Sequence, residues 1–194
     1  MGRGLGVLLN NLSPSIHSLT VLVPSSITLI TAEYRSKIPT IRNFRPNVII
    51  LHLGHNDLVY HPIHNLNPSI STAVASDTIT LANEIHQNHP DASIFISAIF
   101  PRTSTDSSLL SYTDVISYNR MAKRHGQRIR TFAKIADYHY LINNYMWRKI
   151  SGGIEESSYF LPDGLHLNPT GQLSVLLEWL ETIARDDTVP TSTA

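Results

Sequence analysis

The sequence contains no cysteine, which excludes disulfides, thiolate metal sites and a cysteine nucleophile together. That absence assigns no compartment, because a cysteine-free domain is stable in either redox environment. Charge is scarce as well: 15% of residues are charged, with 15 basic residues balancing 15 acidic ones. A neutral chain offers no global field to recruit nucleic acid or an anionic membrane, so any such attraction has to come from a local patch. Long apolar runs are missing, and no stretch approaches the ~18 residues needed to cross a bilayer. The opening residues MGRGLG lack the Ser or Thr that a myristoylation signal wants at its sixth position. The run Val7-Leu8-Leu9 is too short for a signal-peptide core. The chain therefore reads as soluble, with no address and no assigned compartment.

What is present is enough for one domain. At 194 residues and 42% hydrophobic content the chain supports a real core. Short β-branched runs at 18–23 (SLTVLV), 47–53 (NVIILHL) and 93–100 (SIFISAIF) predict strands, with a weaker fourth at 136–142. The run at 47–53 is apolar on both faces, as a strand covered on two sides should be. Helical spacing links Ile70, Val74, Leu81 and Ile85, and again Leu173, Leu176, Leu177, Leu180 and Ile183. Asn168 followed by Pro169 predicts a sharp start for that last helix. Further helices are predicted over 112–134 and over 27–44, the latter interrupted near Pro39. Strands alternating with helices predict an α/β domain over 1–186: a parallel sheet with helices on both faces. Residues 187–194 (DTVPTSTA) read as a disordered tail.

Ligands of open parallel sheets bind beyond the carboxyl ends of the strands, and two segments there carry chemistry. Gly54-His55-Asn56-Asp57 follows the second strand. The Gly permits a sharp turn, and Asn56 offers an amide donor at the sheet's rim, suited to an oxyanion. Pro162 to Asn168 (PDGLHLN) precedes the last helix, with Asp163 and His166 three residues apart. At that spacing a carboxylate can fix the imidazole tautomer and leave Nε2 as a general base. Each segment alone also reads as a simple capped turn.

Together, G-x-N-D after a buried strand and D-x-x-H-x-N before the C-terminal helix resemble the SGNH (GDSL-type) hydrolase superfamily. The wording HLGHNDL and DGLHLNPTGQ is also similar to esterase-type domains of some animal retrotransposon-encoded proteins. The resemblance implies a three-layer, flavodoxin-like fold and hydrolysis of acyl esters, including those of glycans or lipids, without a cofactor. It implies His166 as base, Asp163 as its orienting partner, Asn56 and Gly54 in the oxyanion hole, and Asp57 as support for the turn.

The resemblance also exposes a departure. The family carries its serine in a Gly-Asp-Ser-type block ending the first strand, and no such block stands in this sequence. The glycine of the family's second block is missing too, since residues 24–45 contain none. In the family's strand order the absent strand is central, between those at 18–23 and 47–53. Those two strands must then pair directly or leave backbone groups unpaired. The expectation is a chain truncated relative to the family, with little or no activity as given. Ser25 and Ser26 are weak substitutes, and Ser13 and Ser15 fall in the opposite-end loop.

Other readings stay open at this level. His52, His55, His61 and His64 with Asp57 are candidate metal ligands, but no pair has i, i+4 spacing on a clear helix, and hydrogen-bonded loop histidines are the plainer reading. A catalytically decayed hydrolase domain acting as an interaction or nucleic-acid-binding module is the alternative function. It is favoured by Arg120, Lys123, Arg124, Arg128, Arg130 and Lys134, in a stretch with no acid from Val115 to Ala136. Met121, Ile129 and Phe132 supply that helix with an inner face. Tyr138, Tyr140, Tyr145 and Trp147 would line a substrate wall or close the core.

Overall fold

The computed structural model describes residues 19–22, 46–60, 68–103, 112–143 and 157–186. Four strands, β1 (Leu19–Leu22), β2 (Val48–Leu51), β3 (Ser93–Ser97) and β4 (His139–Leu141), form one sheet in the order β1-β2-β3-β4. Every pairing is parallel. Leu19 stands opposite Val48, Val48 opposite Ser93, and Phe95 opposite His139. The first two strands thus meet edge to edge, the first of the two outcomes expected in the absence of a central strand. Direct pairing satisfies their ladder groups with each other.

Alternation along β2 and β3 sorts the core into two halves. Ile49, Leu51, Ile94 and Ile96 face α2 (Pro68–Asn88) and α3 (Tyr112–Ile135), packing against Ile70, Val74, Ile85, Met121 and Ile129. Val48, Ile50 and Phe95 face the other way, toward Val175, Trp179 and Ile183 of α4 (Pro169–Ala184). The result is three layers, helix–sheet–helix, as an α/β chain requires. Met121 and Ile129 are buried on the inner side of α3, and Tyr138 and Tyr140 pack against the same core. Tyr145, Trp147, the helix expected over 27–44 and the tail 187–194 lie outside the described residues.

The last helix turns a face different from the leucine spacing toward the sheet. Val175, Leu176, Trp179 and Ile183 are buried, whereas Leu173 and Leu177 remain 44% and 48% exposed. Trp179, the bulkiest apolar side chain of the helix, sets the rotation by filling the space over Phe95 and Phe100.

The start of α4 is as the sequence predicts. Asn168 is the N-cap: its Oδ1 accepts from the Gly171 N–H at 3.0 Å, and Pro169 opens the helix. Its Nδ2 also donates to the carbonyls of Ser158 (2.7 Å) and Phe160 (3.3 Å), tying the helix to the preceding 3-10 turn (Ser157–Tyr159). Asn168→Ala is expected to lower stability by about 1–2 kcal/mol, from the lost cap and the two abandoned acceptors. Asn168→Ser, which keeps a cap acceptor without setting a second oxygen against those carbonyls, should lose less; urea denaturation of both variants checks the ranking.

Candidate active site

The Asp163–His166 loop is a short excursion closed by an antiparallel bridge between Phe160 and Leu167. Leu161 N–H donates to the His166 carbonyl at 2.7 Å, and Gly164 N–H to the Leu161 carbonyl at 2.9 Å. Gly164 sits at φ +63°, a left-handed position where glycine avoids the Cβ penalty. The turn folds the aspartate onto its own backbone: Oδ1 accepts the N–H groups of Leu165 and His166, both at 2.9 Å. The other oxygen, Oδ2, lies 2.6 Å from His166 Nδ1.

Desolvation alone would push the Asp163 carboxyl up. The hydrogen bonds from the His166 ring and from the two backbone N–H groups outweigh it and hold the carboxyl below its ordinary range. An ionised carboxylate only accepts, so the shared proton belongs to His166 Nδ1 and the Nε2 lone pair points away. The His166 side chain is 69% exposed, and its Nε2 has no hydrogen-bond partner among the described residues. The pair is held in a fixed orientation with Nε2 open to solvent.

The second motif stands on the same edge of the sheet. Gly54 leaves β2 at φ +103°, and a Cβ there would meet Ile99 Cδ1 and Val74 Cγ1 at 2.9 Å each. Its carbonyl accepts the Leu58 N–H at 3.0 Å, which opens α1 (His55–Tyr60). What reads in sequence as a turn is therefore the start of a helix. Asn56 is its second residue, with its side chain outside the described atoms. Asp57 is buried in the first turn, where a carboxylate suits the free N–H groups of a helix start. His166 lies near enough for its charge to act on His55, between Gly54 and Asn56. The Thr103 N–H donates to the Gly164 carbonyl at 2.9 Å, joining the segment after β3 to the Asp163–His166 loop.

Beneath this edge runs a polar chain that the sequence reading did not find. Tyr118 OH is 2.7 Å from His55 Nδ1, His55 Nε2 is 3.3 Å from His52 Nε2, and His52 Nδ1 is 3.0 Å from Ser97 Oγ. Asn143 Nδ2 donates to Ser97 Oγ at 3.0 Å, and Trp179 Nε1 donates to Asn143 Oδ1 at 2.7 Å. One proton assignment satisfies every link. Tyr118 donates to His55 Nδ1, His55 Nε2–H donates to His52 Nε2, and His52 Nδ1–H donates to Ser97, whose own proton goes to the Ala98 carbonyl.

The electrostatics agree with that direction. Burial pushes the Tyr118 phenol up, only partly offset by the Arg102 guanidinium stacked 4.5 Å over its ring, so Tyr118 keeps its proton. Burial lowers His52 to about 4. Burial, then the charges of His52, Arg102, His125 and His166, holds His55 well below the ordinary histidine range. The chain is neutral and ties the exits of β2, β3 and β4 to α3 and α4 under the dyad. His52 and His55 thus use their ring nitrogens on each other and on hydroxyls. His61 and His64, the other two candidate metal ligands, lie outside the described residues, as do Ser13, Ser15, Ser25 and Ser26.

A parallel three-layer α/β domain with a carboxylate–histidine pair at the carboxyl edge of its sheet has the build of a hydrolase of the flavodoxin-like kind. Residues 23–173 match the GDSL-like lipase/acylhydrolase family, and the chain belongs to that family. The fold is shared with solved structures. A GDSL-like lipase from Bacteroides thetaiotaomicron superposes with a TM-score of 0.54 at 14% identity, over 77% of this chain and 67% of its own. An acetyl xylan esterase gives 0.54 at 14% identity, over 81% of this chain and 77% of its own. A peptidoglycan O-acetylesterase gives 0.50 at 18% identity, over 77% of this chain and 41% of its own. No curated protein matches the chain in sequence. No helix among the described residues is long and apolar enough to cross a membrane.

Proposed function

We propose that this domain is built for hydrolysis of carboxylic esters through an acyl-serine, with His166 as base, Asp163 as its orienting partner and Asn56 with Gly54 as the oxyanion edge. The observation that carries the reading is the 2.6 Å Asp163–His166 contact with Nε2 left open. In the reaction a serine hydroxyl gives its proton to His166 Nε2 while its oxygen bonds to the ester carbonyl carbon. The C–O bond to the alcohol then breaks, and the alkoxide leaves with the proton from His166. Water repeats the cycle to free the acid. The 194 residues supply no Gly-Asp-Ser block for the first step, so hydrolysis by this chain as given should stay at background.

The test is hydrolysis of p-nitrophenyl acetate by the chain as given and by the same chain preceded by a strand ending in Gly-Asp-Ser. A short acyl group is the first choice because two structural relatives are acetyl esterases by name. Hydrolysis by the extended chain alone, rising with pH on the acid side and lost in His166→Ala, is expected, since only neutral imidazole accepts the proton. A folded extended chain with no activity, or activity untouched by His166→Ala, would overturn the assignment.

A further inference from the structure

We propose that the outer face of α3 binds the phosphate backbone of a nucleic acid, without reading its bases. Six of the chain's 15 lysines and arginines, namely Arg120, Lys123, Arg124, Arg128, Arg130 and Lys134, lie on this one helix, and all six are exposed. Among the described residues none of the six forms an ion pair, although the chain as a whole carries as many acids as bases. In a neutral protein this is charge sorted onto one side.

The geometry fits a polyanion. Arg120, Arg124 and Arg128 follow one another at i, i+4 spacing, and Lys123, Arg130 and Lys134 run in the row beside them. From 120 to 134 the two rows together span about 21 Å at 1.5 Å per residue. A nucleic-acid strand at ~3.4 Å per phosphate presents about six phosphates over that length. Between α3 and α2 lies an open pocket of about 400 Å³ lined by Thr72, Arg124, Gln127, Arg128 and Thr131. It pairs two guanidinium forks with hydroxyl and amide groups, a set suited to phosphate and sugar oxygens.

A lipid surface fits less well. Membrane-lying helices expose an apolar stripe beside the basic one. Here the apolar side of α3, from Val115 and Tyr118 to Ile129 and Ala133, is buried in the core, and among its described side chains only Ile135 at the end is an exposed large apolar residue. The outward row carries no aromatic ring for stacking, so contact should be to backbone and indifferent to sequence.

The probe is a fluorescein-labelled 20-nucleotide oligouridylate, titrated with the full chain between 50 and 200 mM salt. Six phosphate contacts predict a log–log salt slope of about −4 and a loss of affinity of roughly 300-fold across that range. Arg124→Glu with Arg128→Glu is expected to weaken binding at least 30-fold at 50 mM, while Arg124→Lys with Arg128→Lys keeps most of it. Circular dichroism and melting confirm that both variants fold, which these exposed positions allow. Absence of binding at 50 mM salt, affinity unmoved by the charge reversal, or binding to anionic vesicles but not to the RNA would each overturn the proposal.

Discussion

Lowering the pH from 7 to 5 is expected to remove about 4 kcal/mol of stability from this domain, carried by buried histidines alone. His52 titrates at about 4 in the fold and His125 at about 3, against 6.5 for an ordinary histidine, and burial is the leading cause for both. Their folded values lie below the unfolded one. Between about pH 6.5 and 4 the unfolded chain therefore binds more protons than the folded one, and stability falls as pH falls. Each histidine contributes roughly 2 kcal/mol of loss by pH 5, and His55, shifted the same way, adds to it. Set against the 5–15 kcal/mol typical of a folded domain, acid unfolding should begin well above the carboxylate range. Asp163 has the opposite shift: its stabilising share is present above the unfolded carboxyl value and is lost only at lower pH. Its partial exposure keeps that share small.

Guanidinium unfolding at pH 7, 6 and 5 checks the prediction, and a flat stability over that range would sink it. His125 gives the sharper control. It is fully buried on α3, and neither ring nitrogen has a hydrogen-bond partner among the described residues. An unpaired buried polar group costs about 1–3 kcal/mol. His125→Leu, near in volume and apolar, is therefore expected to raise stability at pH 7 and to reduce the proton uptake on unfolding at pH 5 by about one.

How much of this was legible in the sequence divides along sequence separation. The Asp163–His166 pair was readable because its geometry is local: three residues, a tight loop and a carboxylate folded onto its own backbone. The Asn168 cap was readable for the same reason. The strands were legible from apolar runs that need cover on both faces, although 93–100 shortened to Ser93–Ser97 where the chain leaves the sheet for Pro101. The polar chain under the site was invisible. His52 meets Ser97 across 45 positions and His55 meets Tyr118 across 63, and no pattern along the chain announces such pairings. His52 and His55 read in sequence as hydrogen-bonded histidines or as metal ligands; the structure bears out the first, with partners that the sequence could not name. The rotation of α4 was hidden too, because five leucine and isoleucine positions at helical spacing carry less weight in packing than one tryptophan.

Gly171→Ala is expected to destabilise the domain by roughly 2 kcal/mol or more, against the sign that helix propensity predicts. Gly171 lies in the first turn of α4, where replacement of glycine by alanine ordinarily gains about 1 kcal/mol. A Cβ at this position would stand 2.3 Å from the Tyr159 carbonyl oxygen and 3.1 Å from the carbonyl carbon. That neighbour is backbone, and it is held in place because the same oxygen accepts the Asn168 N–H at 3.0 Å. The clash cannot be relieved by a rotamer change; α4 has to draw back from the 3-10 turn. Withdrawal stretches the Asn168 contacts to Tyr159, Ser158 and Phe160, each worth about 1 kcal/mol, and overpacking adds about 1–3 kcal/mol. The sum exceeds the propensity gain. Because Asn168 follows the His166 loop directly, the same shift should loosen the bridge between Phe160 and Leu167 that closes it. Two measurements separate the outcomes: the urea midpoint, expected to fall, and the low-field proton signal of His166 Nδ1–H, expected to weaken or broaden. A Gly171→Ala protein as stable as the parent would mean that α4 and the 3-10 turn do not approach this closely and do not brace the Asp163–His166 loop.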